Sequence, residues 1–287
     1  MNVLVTGATG FIGRHTVTRL LQKGHRVTAV ARDATRAMEM PWFDRVHFKA
    51  CDIHRPDTDP DLFGIQDAVM HLAWPGLPDY KSLVHMEETL PADYRFLKKM
   101  ICSGIKNLVV TGTCFEYGMQ NGMLDENMPT FPATPYGLAK DSLRKFLQML
   151  RTRHPFAMKW ARLFYTYGEG QNPGSLLAQL NSALNRGDTV FNMSGGEQLR
   201  DYLPVERMAD ILVELVENPG LDGIVNICSG QPVSVRRLVE DHIAHRDSRM
   251  KLNAGYYPYP DYEPMAFWGD DTRLRQWLTG CEPVKSA

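Results

Sequence analysis

The sequence predicts an α/β fold: a doubly wound parallel sheet of the Rossmann type with a smaller, interleaved C-terminal lobe. Three observations predict it. A short apolar strand at the start of the chain runs straight into a glycine-punctuated turn and an amphipathic helix. Strand-like and helix-like segments then alternate to about residue 164, the pattern of successive βαβ units. Beyond that point the alternation breaks into loops and isolated helices, while Ile224–Cys228 is strand-like and available to return to the main sheet. The expected division is 1–164 for the sheet domain and 165–287 mainly for a second lobe.

Composition excludes several classes. The chain has 287 residues, 44% hydrophobic and 23% charged, with net charge −1. These are the values of an ordinary globular protein with no global field for nucleic acid or an anionic membrane. Five cysteines (51, 102, 114, 228 and 281) form no metal-like or C-x-x-C spacing, so no metal site is expected and reduced thiols in the cytoplasm are. No signal-peptide pattern is visible, and no apolar run reaches the ~20 residues of a membrane span.

Taken in order, Asn2–Thr6 reads as a buried strand. Gly7-Ala-Thr9-Gly10-Phe11-Ile12-Gly13 follows, then a helix with Val17, Leu20 and Leu21 at helical spacing. Arg26–Ala31 is the second strand. Glycines at a first strand-to-helix turn let a pyrophosphate approach the backbone, and the helix N-terminus offers unpaired N–H groups. Residues 7–13 are therefore candidate dinucleotide ligands, with Thr9, Phe11 and Ile12 among them. The end of the second strand selects the dinucleotide. It carries Arg32 and, one turn on, Arg36, which suit a 2′-phosphate and so favour NADP(H). Asp33 leaves NAD(H) open.

Val46–Ile53 is the third strand, ending in Asp52 and Ile53 at the adenine position, where Asp52 either accepts from the adenine amino group or serves the turn. Ala68–Ala73 is the fourth. Two prolines and a glycine then force a loop from Trp74 to Tyr80. Leu72, Ala73 and Trp74 at that strand end border the cofactor, with Trp74 also available to a substrate or to packing. A helix over about 87–104 places Leu90, Tyr94, Leu97 and Ile101 on one face. Leu108–Thr111 is the fifth strand and feeds Thr113-Cys114-Phe115-Glu116-Tyr117-Gly118. A proline-punctuated loop over 119–135 leads to a helix through Leu150, and Phe156–Phe164 is the sixth strand. Later segments read as a loop from Tyr165, helices over 176–185 and 205–217, and a tyrosine-rich stretch over 256–262.

The helix that begins near residue 136 carries the candidate chemistry. Tyr136 and Lys140 lie four residues apart, hence on one helical face. A lysine held beside a tyrosine favours the phenolate and brings proton exchange toward neutrality. Thr113 can bring a hydroxyl to the same spot.

The glycine turn at 7–13, Thr113 before Tyr117-Gly118, and Tyr136-x-x-x-Lys140 together resemble the extended short-chain dehydrogenase/reductase family. The resemblance runs from residue 1 to about 230, and weakly beyond. It implies Thr113, Tyr136 and Lys140 as the catalytic set, with Tyr136 and Lys140 also touching the nicotinamide ribose side of the cofactor. It implies a nucleotide-sugar substrate met by Trp74, Thr113, Cys114 and Tyr165. Arg200-Asp201-Tyr202 looks like the family's R-D-Y/F segment, whose arginine meets the substrate's diphosphate. A homodimer through the helices at about 87–104 and 136–150 is a further implication.

Departures from the family pattern narrow the expected reaction. The acid–base pair that dehydratases carry after the hydroxyl is here Cys114 and Phe115. A cysteine two residues after the hydroxyl, as in epimerase-reductases, is replaced by Phe115, while Cys114, if the strand alternation continues, faces away. Glu116 reads as a structural or hydroxyl contact. The resemblance thus implies reduction of the C4 keto group of a nucleotide-linked 4-keto-6-deoxyhexose, a dTDP-sugar such as that of the 6-deoxy-L-talose route being favoured. An NAD-dependent C4 epimerase is the alternative, and a non-catalytic dinucleotide sensor a more distant one.

Overall fold

In the computed structural model, which describes residues 1–279, the first half of the chain forms β1 (Asn2–Thr6), α1 (Phe11–Gln22), β2 (Arg26–Ala31), α2 (Ala34–Met38), β3 (His47–Ala50), β4 (Ala68–His71), α3 (Leu90–Cys102), β5 (Asn107–Thr113), β6 (Gly122–Leu124), α4 (Pro135–Leu150) and β7 (Ala157–Leu163). The second half forms β8 (Tyr165–Tyr167), α5 (Leu176–Arg186), β9 (Val190–Asn192), β10 (Leu199–Pro204), α6 (Val205–Glu217), β11 (Gly223–Ile227), β12 (Pro232–Ser234), α7 (Val235–His245), β13 (Lys251–Asn253), β14 (Phe267–Gly269) and α8 (Thr272–Thr279). Cys281 lies outside the described residues.

Seven strands form the main sheet in the order β11-β7-β5-β4-β1-β2-β3, all parallel. The order reverses between β1 and β4, so a crevice opens at their carboxyl ends. Both faces of the sheet are covered, which explains the continuous apolar strands. In β1 the pleat sends Val3 and Val5 into one layer and Leu4 into the other. The first layer packs under α1 and α6 through Val17, Leu20, Leu212 and Val216. The second packs under α3 and α4 through Phe96, Leu97, Leu143 and Leu147.

Helix α6 shows how deeply the second half is woven in. Eight of its residues are buried, and each large aliphatic among them is worth roughly 1.5–3 kcal/mol removed from water. That burial is against α1 and the main sheet, so residues 205–217 complete the sheet's own layer rather than the second lobe. The returning strand β11 then pairs in parallel with β7. The lobe itself rests on the sheets β12-β10-β8 and β13-β9, with α5 and α7 meeting through Leu177, Leu180, Val239 and Ile243. Strand β14 crosses back to pair with β6, beside the loop that follows β5.

Three local differences from the sequence reading have physical causes. The turn ahead of α3, His85–Thr89, is π-helical. Pro91 has no N–H to offer the carbonyl four residues back, so the preceding turn widens. Strand β4 ends at His71 and β3 at Ala50, so Leu72–Ala73 and Cys51–Ile53 are loop rather than strand. Finally, β5 stops at Thr113 and Cys114–Tyr117 is a single 3₁₀ turn. The strand alternation expected to turn Cys114 away does not operate there.

Candidate functional site

A cavity of about 1000 Å³ lies at the carboxyl ends of β1, β4 and β5 and reaches across to β8 and α5. Its dinucleotide end is built by the first turn of the chain. Gly7 has φ +68°, and a Cβ there would come within 2.8 Å of the Ala73 backbone. A Cβ at Gly13 would collide with the Gly7 carbonyl. Gly10 caps α1 without any side-chain hydrogen bond, which leaves the first N–H groups of the helix for a ligand. Thr6 Oγ1 accepts from the Ala73 N–H and lies 3.0 Å from His71 Nδ1, which locks the two strands of the switch point together. A backbone cradle with spare donors fits the pyrophosphate of a dinucleotide.

At the adenosine end Arg32, Arg36, Asp52 and Ile53 line the wall, as does His54. Asp33 instead turns to cap α2, accepting from the Arg36 N–H at 3.1 Å. Asp52 accepts from the His54 N–H at 3.1 Å, so it serves the turn while facing the cavity. Behind His54 stands a buried group that sequence reading missed. Asp93 Oδ1 is 2.7 Å from His54 Nε2 and 3.3 Å from His71 Nε2. Burial alone would raise the Asp93 carboxyl, but the two imidazoles outweigh it and hold it at about 2.

Thr113, Tyr136 and Lys140 converge on the middle of the cavity. Thr134 accepts from the Gly137 N–H and Pro135 starts α4, which fixes the helix that carries the other two. A Cβ at Gly137 would lie 2.7 Å from the Phe115 carbonyl, so α4 approaches the 3₁₀ turn closely. That turn is a capping box. Thr113 Oγ1 accepts from the Phe115 N–H, while Glu116 accepts from the Thr113 N–H at 2.9 Å. Glu116 also takes Trp160 Nε1–H at 2.8 Å and Arg162 Nε–H at 2.7 Å. Fully buried and saturated, it is a structural residue.

The tyrosine–lysine pair departs from the expected arrangement. Lys140 donates to the Thr111 carbonyl at 2.8 Å and its ammonium sits 3.9 Å from the Trp74 ring centre. Burial lowers it to about 8. Tyr136 is raised well above an ordinary phenol, by burial first and then by Tyr80 beside it, with a hydrogen bond to Thr113 opposing. The phenolate expected from helical spacing is therefore not favoured. The enclosing aromatic rings outweigh a lysine that points elsewhere.

The remaining wall is aromatic. Tyr80 packs on Phe115 with ring centres 4.9 Å apart and on Tyr262 at 5.8 Å, and both Tyr80 and Phe115 pack against Tyr136. Cys114 and Tyr165 also line the cavity. Burial pushes the Cys114 thiol up, so it is no ready base. Gly174 and Ser175 bring the N-terminus of α5 to the same wall.

Of the sequence-derived site residues, Gly7, Thr9, Gly10, Phe11, Ile12, Gly13, Arg32, Arg36, Asp52, Ile53, Leu72, Ala73, Trp74, Thr113, Cys114, Tyr136, Lys140 and Tyr165 all line the cavity. Arg200 does not. Its Nε and Nη2 donate to Glu263 Oε2 at 3.2 and 2.9 Å, and its Nη1 donates to the Leu199 and Met265 carbonyls. Glu263, which does line the cavity, takes the guanidinium that sequence reading reserved for a diphosphate. No spacing rule links residues 200 and 263, so this partner had no signal in the sequence.

Residues 3–228 match the model of the NAD dependent epimerase/dehydratase family. A dTDP-6-deoxy-L-talose 4-dehydrogenase (NAD(+)) from Aggregatibacter actinomycetemcomitans is 31% identical, covering 94% of this chain and 99% of that protein. UDP-arabinose 4-epimerase 1 of Arabidopsis thaliana is 25% identical, covering 96% of this chain and 74% of its own length. Among solved structures, MoeE5 in complex with UDP-glucuronic acid and NAD superposes with TM-score 0.82 at 27% identity, covering 100% of this chain and 95% of the other. UDP-N-acetylglucosamine 4-epimerase from Methanobrevibacter ruminantium M1 has the same fold, with TM-score 0.85 at 22% identity over 99% of this chain and 93% of the other.

Proposed function

Because this chain belongs to the NAD-dependent epimerase/dehydratase family, we propose that it is a cytoplasmic enzyme that reduces the C4 keto group of a nucleotide-linked 4-keto-6-deoxyhexose with NAD(P)H. A dTDP-sugar is favoured, the substrate type named for the Aggregatibacter relative. The observation that carries this reading is the character of the cavity around Tyr136. It holds the Tyr136 phenol with two supporting groups, Thr113 and Lys140, while Glu263, the carboxylate that lines the same wall, is paired with Arg200. Phe115 stands where a dehydratase needs a carboxylate, and with Tyr80 and Tyr262 it forms an apolar wall suited to a C5 methyl.

Reduction needs a proton delivered to the C4 oxygen as hydride reaches the carbon. A bound nicotinamide supplies that hydride. Tyr136 is kept as a phenol by burial, so it is charged with the proton that the product alkoxide requires. Thr113 Oγ1 accepts from Phe115 N–H, which leaves its hydroxyl hydrogen to orient the same substrate oxygen. Lys140, one helical turn from Tyr136, offsets the negative charge once the phenol has given up its proton. The N-terminus of α5 offers backbone donors to a diphosphate.

Arg32 and Arg36 at the cavity wall, with Asp33 turned away to cap α2, favour NADP(H) over NAD(H). Leu138, Phe146 and Met149 are exposed along α4 and support a homodimer through that face. A C4 epimerase remains the second reading, favoured by the 4-epimerases among the relatives.

The decisive experiment is NADPH and NADH oxidation with freshly made dTDP- and GDP-4-keto-6-deoxyhexoses. Turnover on one of them is expected, and failure on all would sink the reductase. NAD that survives purification, together with interconversion of UDP-sugars and no external cofactor use, would establish the epimerase instead. In either case Tyr136→Phe lowers turnover roughly 10²–10⁴-fold with dinucleotide affinity nearly unchanged. An active phenylalanine variant would remove Tyr136 from its role.

A further inference from the structure

Lys140 is fully buried, yet among the described residues no ion pair engages it. The carboxylates that bear on it are Asp93 on α3 and Glu116 in the 3₁₀ turn, and each is committed elsewhere, to imidazoles and to Trp160 with Arg162. A buried ammonium with one carbonyl partner ought to be costly. Besides the Thr111 carbonyl at 2.8 Å, the indole of Trp74 faces it, with the ring centre 3.9 Å away.

Trp74 is itself held from behind. Its Nε1–H donates to His85 Nδ1 at 3.2 Å, and His85 Nε2 donates to the Asp79 carbonyl at 2.8 Å. His85 is fully buried and stacks on the indole with an interplanar angle of 28°. These two bonds set its tautomer, because an Nδ1 that accepts leaves the hydrogen on Nε2. The loop makes room for the imidazole at Gly76, which has φ +90° and where a Cβ would lie 3.0 Å from His85 Cε1. The edge of the indole also meets Tyr136, with ring centres 5.9 Å apart. One side chain thus touches both the phenol and the ammonium.

We propose that Trp74 is the positioning residue of this site, its ring face acting as the counter-surface that keeps Lys140 charged and in place, with His85 fixing the ring. A desolvated cation–π contact is strong enough for the task, and tryptophan is the best of the aromatic donors. The inference rests on the reading of Tyr136 and Lys140 as catalytic only for its consequence in turnover. The seat itself stands on the geometry of Trp74, Lys140 and His85 alone.

The experiment is NMR of the cofactor-free full chain with lysine labelled at Cε, the Lys140 signal being identified by its loss in Lys140→Met. The Lys140 methylene is expected to be shifted upfield by the indole and to titrate near 8, the value that burial sets. Removing the ring face takes support from the charged form. In Trp74→Leu the upfield shift vanishes and the titration midpoint falls by about one pH unit. Trp74→Phe keeps a weaker face, so it retains part of the upfield shift and moves the midpoint about half as far. It carries the test alone should the leucine variant not fold. The alkaline limb of kcat/KM, where Lys140 loses its proton, moves to lower pH by the same amount as the midpoint. An unchanged midpoint in both folded variants overturns the proposal. Full turnover by Lys140→Met would instead overturn the catalytic reading, leaving the NMR result untouched.

Discussion

The two ends of the cavity are built in different ways. The dinucleotide end comes from one contiguous stretch, residues 6–13, closed by the ends of β2 and β4, and its working parts are backbone N–H groups. The opposite end, proposed above to take the sugar, is assembled from Tyr80, the turn after β5, Tyr165 and the 262–263 segment, pieces far apart in the chain. Its parts are side chains kept in place by other side chains, above all the Arg200–Glu263 pair and the aromatic set around Tyr136. A backbone cradle fails when a single atom is added to it. A side-chain assembly fails when a partner is taken away.

The sharpest way to test that contrast is Gly13→Ala. The added methyl has nowhere to go, since the Gly7 carbonyl occupies its place. Dinucleotide affinity is expected to fall about 100-fold or more, equivalent to about 2.7 kcal/mol, measured by calorimetric titration. Wild-type affinity in a folded Gly13→Ala protein would mean that the turn is not the cradle.

The sugar end should break in the opposite manner, through Glu263→Gln. The substitution keeps the shape but leaves the buried Arg200 guanidinium without its counter-charge. Removing one member of a buried pair costs about 3–5 kcal/mol at most, and Glu263 keeps some exposure. The expected result is a melting temperature lower by roughly 5–10 °C and a higher KM for the sugar nucleotide, with dinucleotide affinity unchanged. Equal weakening at both ends would mean that the two ends are not built separately.

The same contrast explains what could be read from the sequence. The glycine turn, the strands of the sheet and the spacing of Tyr136 and Lys140 are local features, legible because a period or a dipeptide carries them. For Cys114 only the direction departs from the sequence reading, because Thr113 doubles as the last residue of β5 and the cap of the next turn, a change of conformation with no composition signal. The direction of Lys140 and the raised pKa of Tyr136 depend on Trp74, Tyr80 and Phe115, which reach the helix only through the fold. Arg200 looked free because Glu263 is 63 residues away. Asp93 read as one more polar position on α3, although it is buried between two histidines from other segments.

The smallest expected effect lies at the outer rim of the dinucleotide end, where the two modes of construction meet. Arg32 and Arg36 are exposed side chains, so each is screened by water. If they meet a 2′-phosphate as proposed, each should contribute about 1 kcal/mol rather than the 1.5–3 of a charged hydrogen bond shielded from water. Arg32→Ser should therefore reduce the ratio of kcat/KM with NADPH to that with NADH by about five- to tenfold, leaving kcat with saturating cofactor alone. Arg36→Ser should act in the same direction, and the double variant should lower the ratio further than either alone, though not as a simple product because the two cations share one phosphate. Asp33 gives the counter-test. Its carboxylate is occupied by the Arg36 N–H, so Asp33→Asn should leave the ratio where it is. A ratio that rises in Asp33→Asn, or stays fixed in the double arginine variant, would show that the rim reads a ribose hydroxyl rather than a phosphate.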